Sequence, residues 1–346
     1  MEKATDTQAK LPVSVFQKEL VAGFRNDSLH LILLPTERCN FRCTYCYEDF
    51  SVGRMKPEIV LAVKRLIDRR LDDLHSLSVS WFGGEPLLAG HVVEDISEHI
   101  VRAAEQLSSL DYVADMTTNG YLLDDCRVEQ LAFLGIRHFQ ISLDGPEVLH
   151  DRSRVRANGK GSFQKIWGNL IKIRDRSAPV DILLRIHLTL ENLPSMPEFL
   201  MQVRETFLGD SRFKVLLRPV EHLGGPNDAR IEIIPRESQA GITRELEKIV
   251  LHGVTTNALF EAPEICYASR PNSLVIRADG RVGKCTVALA DTRNTIGKLL
   301  PDGSLQIDKA GLIPWLHGWT SGDLATLACP YSSFSQPAQP TFRTVG

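Results

Sequence analysis

The chain has 346 residues, longer than a single hydrophobic core usually sustains, so it is either two domains or one large α/β unit. Its 43% hydrophobic and 24% charged residues are ordinary for a globular protein, and a formal net charge of -3 carries no footprint for nucleic acid or an anionic membrane. No apolar run approaches the roughly 20 residues that span a bilayer, and Met1 to Lys10 is polar without a signal-peptide core, so the expected location is the cytoplasm.

Residues 1–28 form an N-terminal extension whose one amphipathic stretch, Val13 to Phe24, reads as a helix packed on the main body or as a substrate-docking element. From Leu29 the pattern alternates. Apolar, β-rich runs cover Leu29–Leu34, Leu77–Phe82, Tyr112–Thr117, His138–Leu143, Ile182–Leu190 and Phe213–Val220. Helical-period segments lie between them at Pro57–Leu71, Val92–Leu107, Cys126–Leu134, Phe163–Arg174 and Met196–Phe207. Strands alternating with helices indicate a parallel sheet built from right-handed crossovers, with any site at the carboxyl ends of the strands.

Directly after the first strand stands Cys39-Asn-Phe-Arg-Cys43-Thr-Tyr-Cys46-Tyr47. Seven cysteines in all, three of them within eight residues, read as metal ligation in a reducing compartment rather than a disulfide framework. An iron-sulfur cluster takes one thiolate for each of four irons, so three thiolates leave one iron open to bind a small molecule. A zinc site completed by a distant side chain, or three reduced structural cysteines, are the competing readings.

Each later strand also ends in small or hydrogen-bonding residues: Gly83-Gly84-Glu85-Pro86 after the second, Thr117-Thr118-Asn119-Gly120 after the third, Ser142-Leu143-Asp144-Gly145 after the fourth. Turn chemistry explains any one of these alone. Then comes His150-Asp151-x2-Arg154, followed by Gly159-Lys160-Gly161-Ser162-Phe163, a basic loop that either positions a carboxylate or caps a helix. On the fifth strand Arg185 and His187 alternate with apolar neighbours and face the same side, where Arg185 needs an anionic partner, from a ligand or a salt bridge.

Cys39-x3-Cys43-x2-Cys46 with aromatic Tyr45 beside the last cysteine, followed by Gly83 to Pro86 and the strand-end motifs, resembles the radical S-adenosylmethionine (SAM) enzymes. The resemblance implies an α/β fold with a partial (β/α)6 barrel over 29–225, and a [4Fe-4S] cluster on Cys39, Cys43 and Cys46 whose open iron chelates SAM. Gly83, Gly84, Glu85, Pro86, Thr118, Asn119, Ser142, Asp144, Arg154 and Arg185 are then candidates for the SAM pocket. A side chain at Gly84 is expected to intrude on the methionine end of the cofactor. No catalytic acid, base or radical-quenching residue is identified.

Residues 226–262 read as a linker region with a helix at Ser238–Leu251, and 263–346 as a small extension with a β run at Ser273–Arg277 and Asp-Gly turns at 279 and 302. Cys266, Cys285 and Cys329 there resemble the opening of a SPASM or Twitch extension, which implies one auxiliary [4Fe-4S] cluster, with a reduced remnant holding only structural cysteines as the alternative; the dense later cysteines of a full SPASM domain are missing. Its fourth ligand is another group, the substrate or Cys126, although Cys126 reads most simply as a small buried hydrophobe. The His150 to Phe163 pattern resembles the branch that matures ribosomal peptides and sulfatases. The implied activity is hydrogen abstraction from a precursor peptide, with cross-linking as the first expectation. Epimerisation, thioether formation and side-chain oxidation are alternatives, as are a small-metabolite substrate and a non-catalytic scaffold. A flavodoxin or ferredoxin is the implied electron donor.

Overall fold

The computed structural model describes residues 13–107, 109–251 and 265–335. The Met1 to Lys10 tail and the expected boundary at 262/263 lie outside the described residues. In chain order the elements are α1 (Val13–Phe24), β1 (Ser28–Leu33), α2 (Pro57–Asp68), β2 (Ser76–Trp81), α3 (Gly90–Gln106), β3 (Asp111–Thr118), α4 (Asp125–Phe133) and β4 (Ile136–Leu143). There follow α5 (Glu147–Ser153), α6 (Phe163–Arg174), β5 (Asp181–Leu188), α7 (Met196–Phe207), β6 (Phe213–Pro219) and α8 (Arg236–Val250). The chain continues through β7 (Ser273–Ile276), β8 (Arg281–Gly283), β9 (Gly297–Leu299), β10 (Leu305–Ile307), α9 (Lys309–Ser321) and α10 (Leu324–Ala328).

All six expected strands form, and they pair in parallel in the order β1-β2-β3-β4-β5-β6. Alternation along each strand explains why. On β2, Leu77, Val79 and Trp81 are fully buried while Ser76, Ser78 and Ser80 on the other face are half-buried. The apolar face packs under the helices, where Val63 and Ile67 of α2 and Val93 and Ile96 of α3 join the same core. Each such Leu, Ile or Val contributes about 1.5–3 kcal/mol by leaving water. The opposite, polar face is left to line a cavity. Pro57 starts α2, where its missing N–H costs nothing, and Gly135 at φ 83 turns the chain from α4 into β4.

The C-terminal strands extend this sheet: β7 pairs in parallel with β1, and β8, β9 and β10 follow antiparallel, giving one ten-stranded sheet with β10 and β6 at its ends. Among the described residues no ladder joins those ends. β1 is therefore internal, and the apolar run Leu31 to Leu33 with which it ends is the mark of a strand covered on both faces. Ile32 and Leu34 pack with Val275 and Leu289 on the face opposite the helices.

The N-terminal helix α1 meets the C-terminal segment: Phe24 lies edge-on to Trp319 at 5.9 Å, and Glu19 pairs with Arg270 at 2.9 Å. The helix expected as a linker, α8, lies against α7, with Arg204 Nη1 donating to Ile249 O at 2.9 Å. Among the described residues no helix is long and apolar enough to cross a membrane.

Candidate active site

The loop after β1 holds its shape through backbone bonds to two other segments. On one side, Arg42 N donates to Val155 O (2.7 Å), Thr44 N to Ser153 O (2.9 Å) and Ala157 N to Asn40 O (2.8 Å). The basic loop after α5 is therefore a brace along the cysteine loop. On the other side the Gly-Gly-Glu-Pro turn is pressed against residues 36–38, and Glu85 N donates to Arg38 O at 3.0 Å. A Cβ on Gly83, at φ 114, would lie 2.2 Å from Thr36 O, and one on Gly84 would lie 2.5 Å from Arg38 O. The glycines thus admit the cysteine-loop backbone itself, and a side chain at Gly84, which also lines the cavity described below, would meet that backbone as well.

Glu85 has a similar role. Fully buried, it accepts from Thr118 Oγ1 (2.8 Å) and Leu87 N (3.1 Å) on one oxygen and from Asn119 N (2.8 Å) on the other. Burial raises its pKa, and those three donors oppose the rise. Its carboxylate ties the turn after β2 to the end of β3. Asn119 in turn donates through Nδ2 to Asn40 Oδ1 at 2.8 Å, back in the cysteine loop.

A third knot fixes Tyr45. Its hydroxyl accepts from Arg154 Nη1 (2.7 Å), donates to Asp144 Oδ1 (3.0 Å) and lies 3.1 Å from His187 Nδ1. Ser153 Oγ donates to the other oxygen of Asp144 at 2.6 Å. Burial alone would raise the Asp144 pKa, but the His187 hydrogen bond and the Arg154 guanidinium hold it well below the usual carboxylate range. Burial is also the main force lowering His187, opposed by Asp144.

These loops enclose a cavity of about 530 Å³ at the carboxyl ends of β1 to β6. Cys39, Cys43, Cys46, Gly83, Gly84, Thr118, Asn119, Ser142, Arg154 and Arg185 all line it; Glu85, Pro86 and Asp144 do not, because they stand behind the wall. His187 and Arg218 line it too. The sequence pointed to His187 by its alternation with Arg185, and Arg218, near the end of β6, carried the same signal unread. Arg185 donates through Nε to His187 Nε2 at 3.2 Å, and among the described residues neither Arg185 nor Arg218 has a carboxylate within 4.0 Å. The buried Nε of Arg154 and Oε2 of Glu48, also at this cavity, have no hydrogen-bond partner among the described residues. Burial, with Glu37 nearby, lifts the Glu48 carboxyl to about 8.

The donor set fits an iron-sulfur cluster with a zwitterionic ligand. Three thiols face one cavity, and burial pushes Cys39 and Cys43 above the ordinary thiol range and Cys46 up to about 12, so a metal must displace their protons to bind. In a cluster each thiolate takes a separate iron, and the three thiols share this one cavity. Guanidinium groups without anions supply the complement to a carboxylate.

The second cysteine trio is also brought together. Cys266 N donates to Leu327 O at 3.0 Å, close to Cys329, and the Tyr267 hydroxyl bonds Thr286 Oγ1 at 2.7 Å, next to Cys285. After burial, Cys285 and Cys329 help raise the Cys266 thiol. Val287, two residues after Cys285, and Ala328, next to Cys329, line the main cavity. Cys126 is exposed at the start of α4, which corrects its reading as a buried hydrophobe: the helix turns its apolar side, Val128, Leu131 and Ala132, inward instead.

The sequence profile of the Radical SAM superfamily matches residues 33–201. The GTP 3',8-cyclase of Microcystis aeruginosa is 35% identical over 42% of this chain, and the match spans 42% of that relative's own length, less than half. The PqqA peptide cyclase of Gluconobacter oxydans is 25% identical over 75% of this chain and 70% of its own. The solved structure of native anSMEcpe with bound AdoMet and Cp18Cys peptide shares the fold, with a TM-score of 0.64 and 18% identity over 84% of this chain and 82% of that one. With the cysteine loop, the glycine turn and the strand ends closed around one cavity, the match identifies residues 33–201 as a Radical SAM domain, and the chain spans about half the length or less of the first relatives it matches.

Proposed function

We propose that this enzyme modifies a ribosomally made precursor peptide, with formation of a cross-link as the outcome. Cys39, Cys43 and Cys46 hold the SAM-binding [4Fe-4S] cluster, and Cys266, Cys285 and Cys329 hold an auxiliary one. When bound, the first cluster and SAM supply a 5'-deoxyadenosyl radical that takes a hydrogen atom from the substrate. The protein's own part is to bind and to shield. Arg154, Arg185 and Arg218 offer charge to carboxylates of SAM or peptide, Ser142 and Thr118 offer hydroxyls, and the Tyr45 knot keeps the loop fixed.

The observation that carries this reading is that one cavity is lined by the three loop cysteines and by Val287 and Ala328, within two residues of Cys285 and Cys329. A pocket for SAM alone has no need of the second wall. Support for a peptide comes from the relative named as a peptide cyclase and from the peptide present in the anSMEcpe structure.

The test is anaerobic incubation of the reconstituted protein with SAM, a reductant and the short peptide encoded beside its gene, followed by tandem mass spectrometry. A cross-link appears as loss of two hydrogens with fragmentation suppressed between the joined residues. 5'-Deoxyadenosine formation with no change in any such peptide would overturn the peptide assignment and leave the SAM chemistry standing.

A further inference from the structure

The inner side of the cysteine loop lines the cavity; its outer side is basic. Arg38, Arg42, Arg54, Lys56 and Lys160 are exposed and Arg156 is half-exposed, and none of them lines the cavity of the three cysteines. Backbone pairing makes them one face. Thr36 bridges Arg54, and Phe41 bridges Arg156, so both flanking segments lie alongside the loop. Phe50, held at φ 58, turns segment 47–54 back so that its ring sits 4.6 Å from the Arg42 guanidinium. Arg156 stands 4.3 Å over the Tyr121 ring.

Among the described residues, none of these six cations has a carboxylate within 4.0 Å; of the acids on the same segments, Glu48 is buried and the others meet different partners. Glu37 is buried against Arg277, Asp49 accepts from Ser51 N at 2.9 Å, and Asp151 accepts from Ser162 N at 2.7 Å and Phe163 N at 2.9 Å. A net charge of -3 over the whole chain therefore conceals a local field of the opposite sign. Uncompensated surface charge concentrated on one face speeds encounter with a partner of opposite charge.

We propose that this face is the docking surface for an acidic one-electron carrier protein. The proposal rests on the cluster assignment made for Cys39, Cys43 and Cys46. What selects an electron carrier over an acidic peptide is position. Arg42 is exposed to solvent, yet its Nη1 donates to Cys39 O at 2.8 Å and to Phe41 O at 2.6 Å, so a protein seated here rests one side chain away from the ligand loop without entering the cavity. The step is outer-sphere: the carrier loses one electron, the cluster gains one, and no bond or proton moves.

The experiment compares wild-type protein with Lys56→Glu/Arg156→Glu, both full-length and reconstituted, using a reduced acidic flavodoxin as the probe. Stopped-flow flavin absorbance reads the rate of carrier oxidation, and electron paramagnetic resonance reads the reduced cluster. At low ionic strength the variant is expected to be slower by about tenfold or more, the gap closing as salt screens the charges. The extent of cluster reduction by dithionite should match wild type, and Lys56→Arg/Arg156→Lys should restore the rate. Equal flavodoxin rates in the reversed and wild-type proteins overturn the proposal. So does a variant whose only change is weaker binding of an acidic peptide, or one that dithionite also fails to reduce. Should wild type itself give no reduced-cluster signal with dithionite, the cysteine assignment has failed, and the docking surface falls with it.

Discussion

Arg277 donates through Nε to Glu37 Oε1 at 3.0 Å, with both side chains buried at 6% and 3% exposure, and so joins the end of β7 to the residue two before the first cysteine. Arg277 Nη1 also donates to Leu289 O at 2.6 Å. The C-terminal segment thereby clamps the base of the loop that carries the proposed cluster.

Removing one member of a buried ion pair leaves the other charge uncompensated, at a cost of about 3–5 kcal/mol. Arg277→Met is expected to lower the unfolding midpoint accordingly and to lower iron retention on the loop. Adding Glu37→Gln should recover most of the stability. Equilibrium denaturation of the two variants checks this; a single variant as stable as wild type refutes the clamp.

Cys39→Ala, Cys43→Ala and Cys46→Ala combined should abolish reductive SAM cleavage. Wild type is expected to hold about eight irons, four for each of the two proposed [4Fe-4S] centres, and the triple variant about half. Iron and sulfide assay beside 5'-deoxyadenosine chromatography tests both halves. Undiminished 5'-deoxyadenosine removes the loop assignment, and a triple variant without iron removes the auxiliary cluster alone.

For Gly84→Val the expected loss is of iron as well as of SAM affinity, because the new Cβ meets the Arg38 carbonyl oxygen at 2.5 Å and displaces the cysteine loop. Iron content near wild type with weakened SAM binding would show that the clash is absorbed elsewhere. The Gly-Gly-Glu-Pro residues were conspicuous in the sequence, but their partners were not. A turn's φ values are local, while the backbone it presses upon lies about one β-α unit away. The same holds for Arg154, conspicuous as part of a basic loop, whose partner is the hydroxyl of Tyr45, 109 residues distant in sequence. The strands of the parallel sheet were legible because two-residue alternation and apolar runs are written in each segment. The pairing of β7 with β1 was not, since the short run Ser273 to Ile276 fits an antiparallel hairpin equally well.

Burial lowers the pKa of His30 from 6.5 to about 4, with Lys284 and Arg270 adding to the effect. Its ring nitrogens are engaged, Nδ1 with Ser273 Oγ and Nε2 with Ser80 Oγ, each at 2.9 Å, so it links β7, β1 and β2. Above pH 6.5 both the folded and unfolded forms are neutral and no penalty exists. Between pH 6.5 and about 4 only the unfolded chain takes up the proton, so stability falls as pH falls, by about 1.4 kcal/mol per unit at most. His30→Gln should flatten this part of the pH profile in denaturant titrations. An unchanged slope in the variant assigns the acid sensitivity to other groups.

Because β7 is the parallel neighbour of β1 although the residues they join are some 240 positions apart, the sheet cannot be completed in the order in which it is synthesised. A ribosome releases β1 and the cysteine loop long before their flank arrives, and closing so distant a contact is slow compared with forming the β-α units between. Until then Ile32, Leu34 and Glu37 lack their covering residues, and the loop carrying Cys39, Cys43 and Cys46 stands without the Glu37–Arg277 clamp at its base.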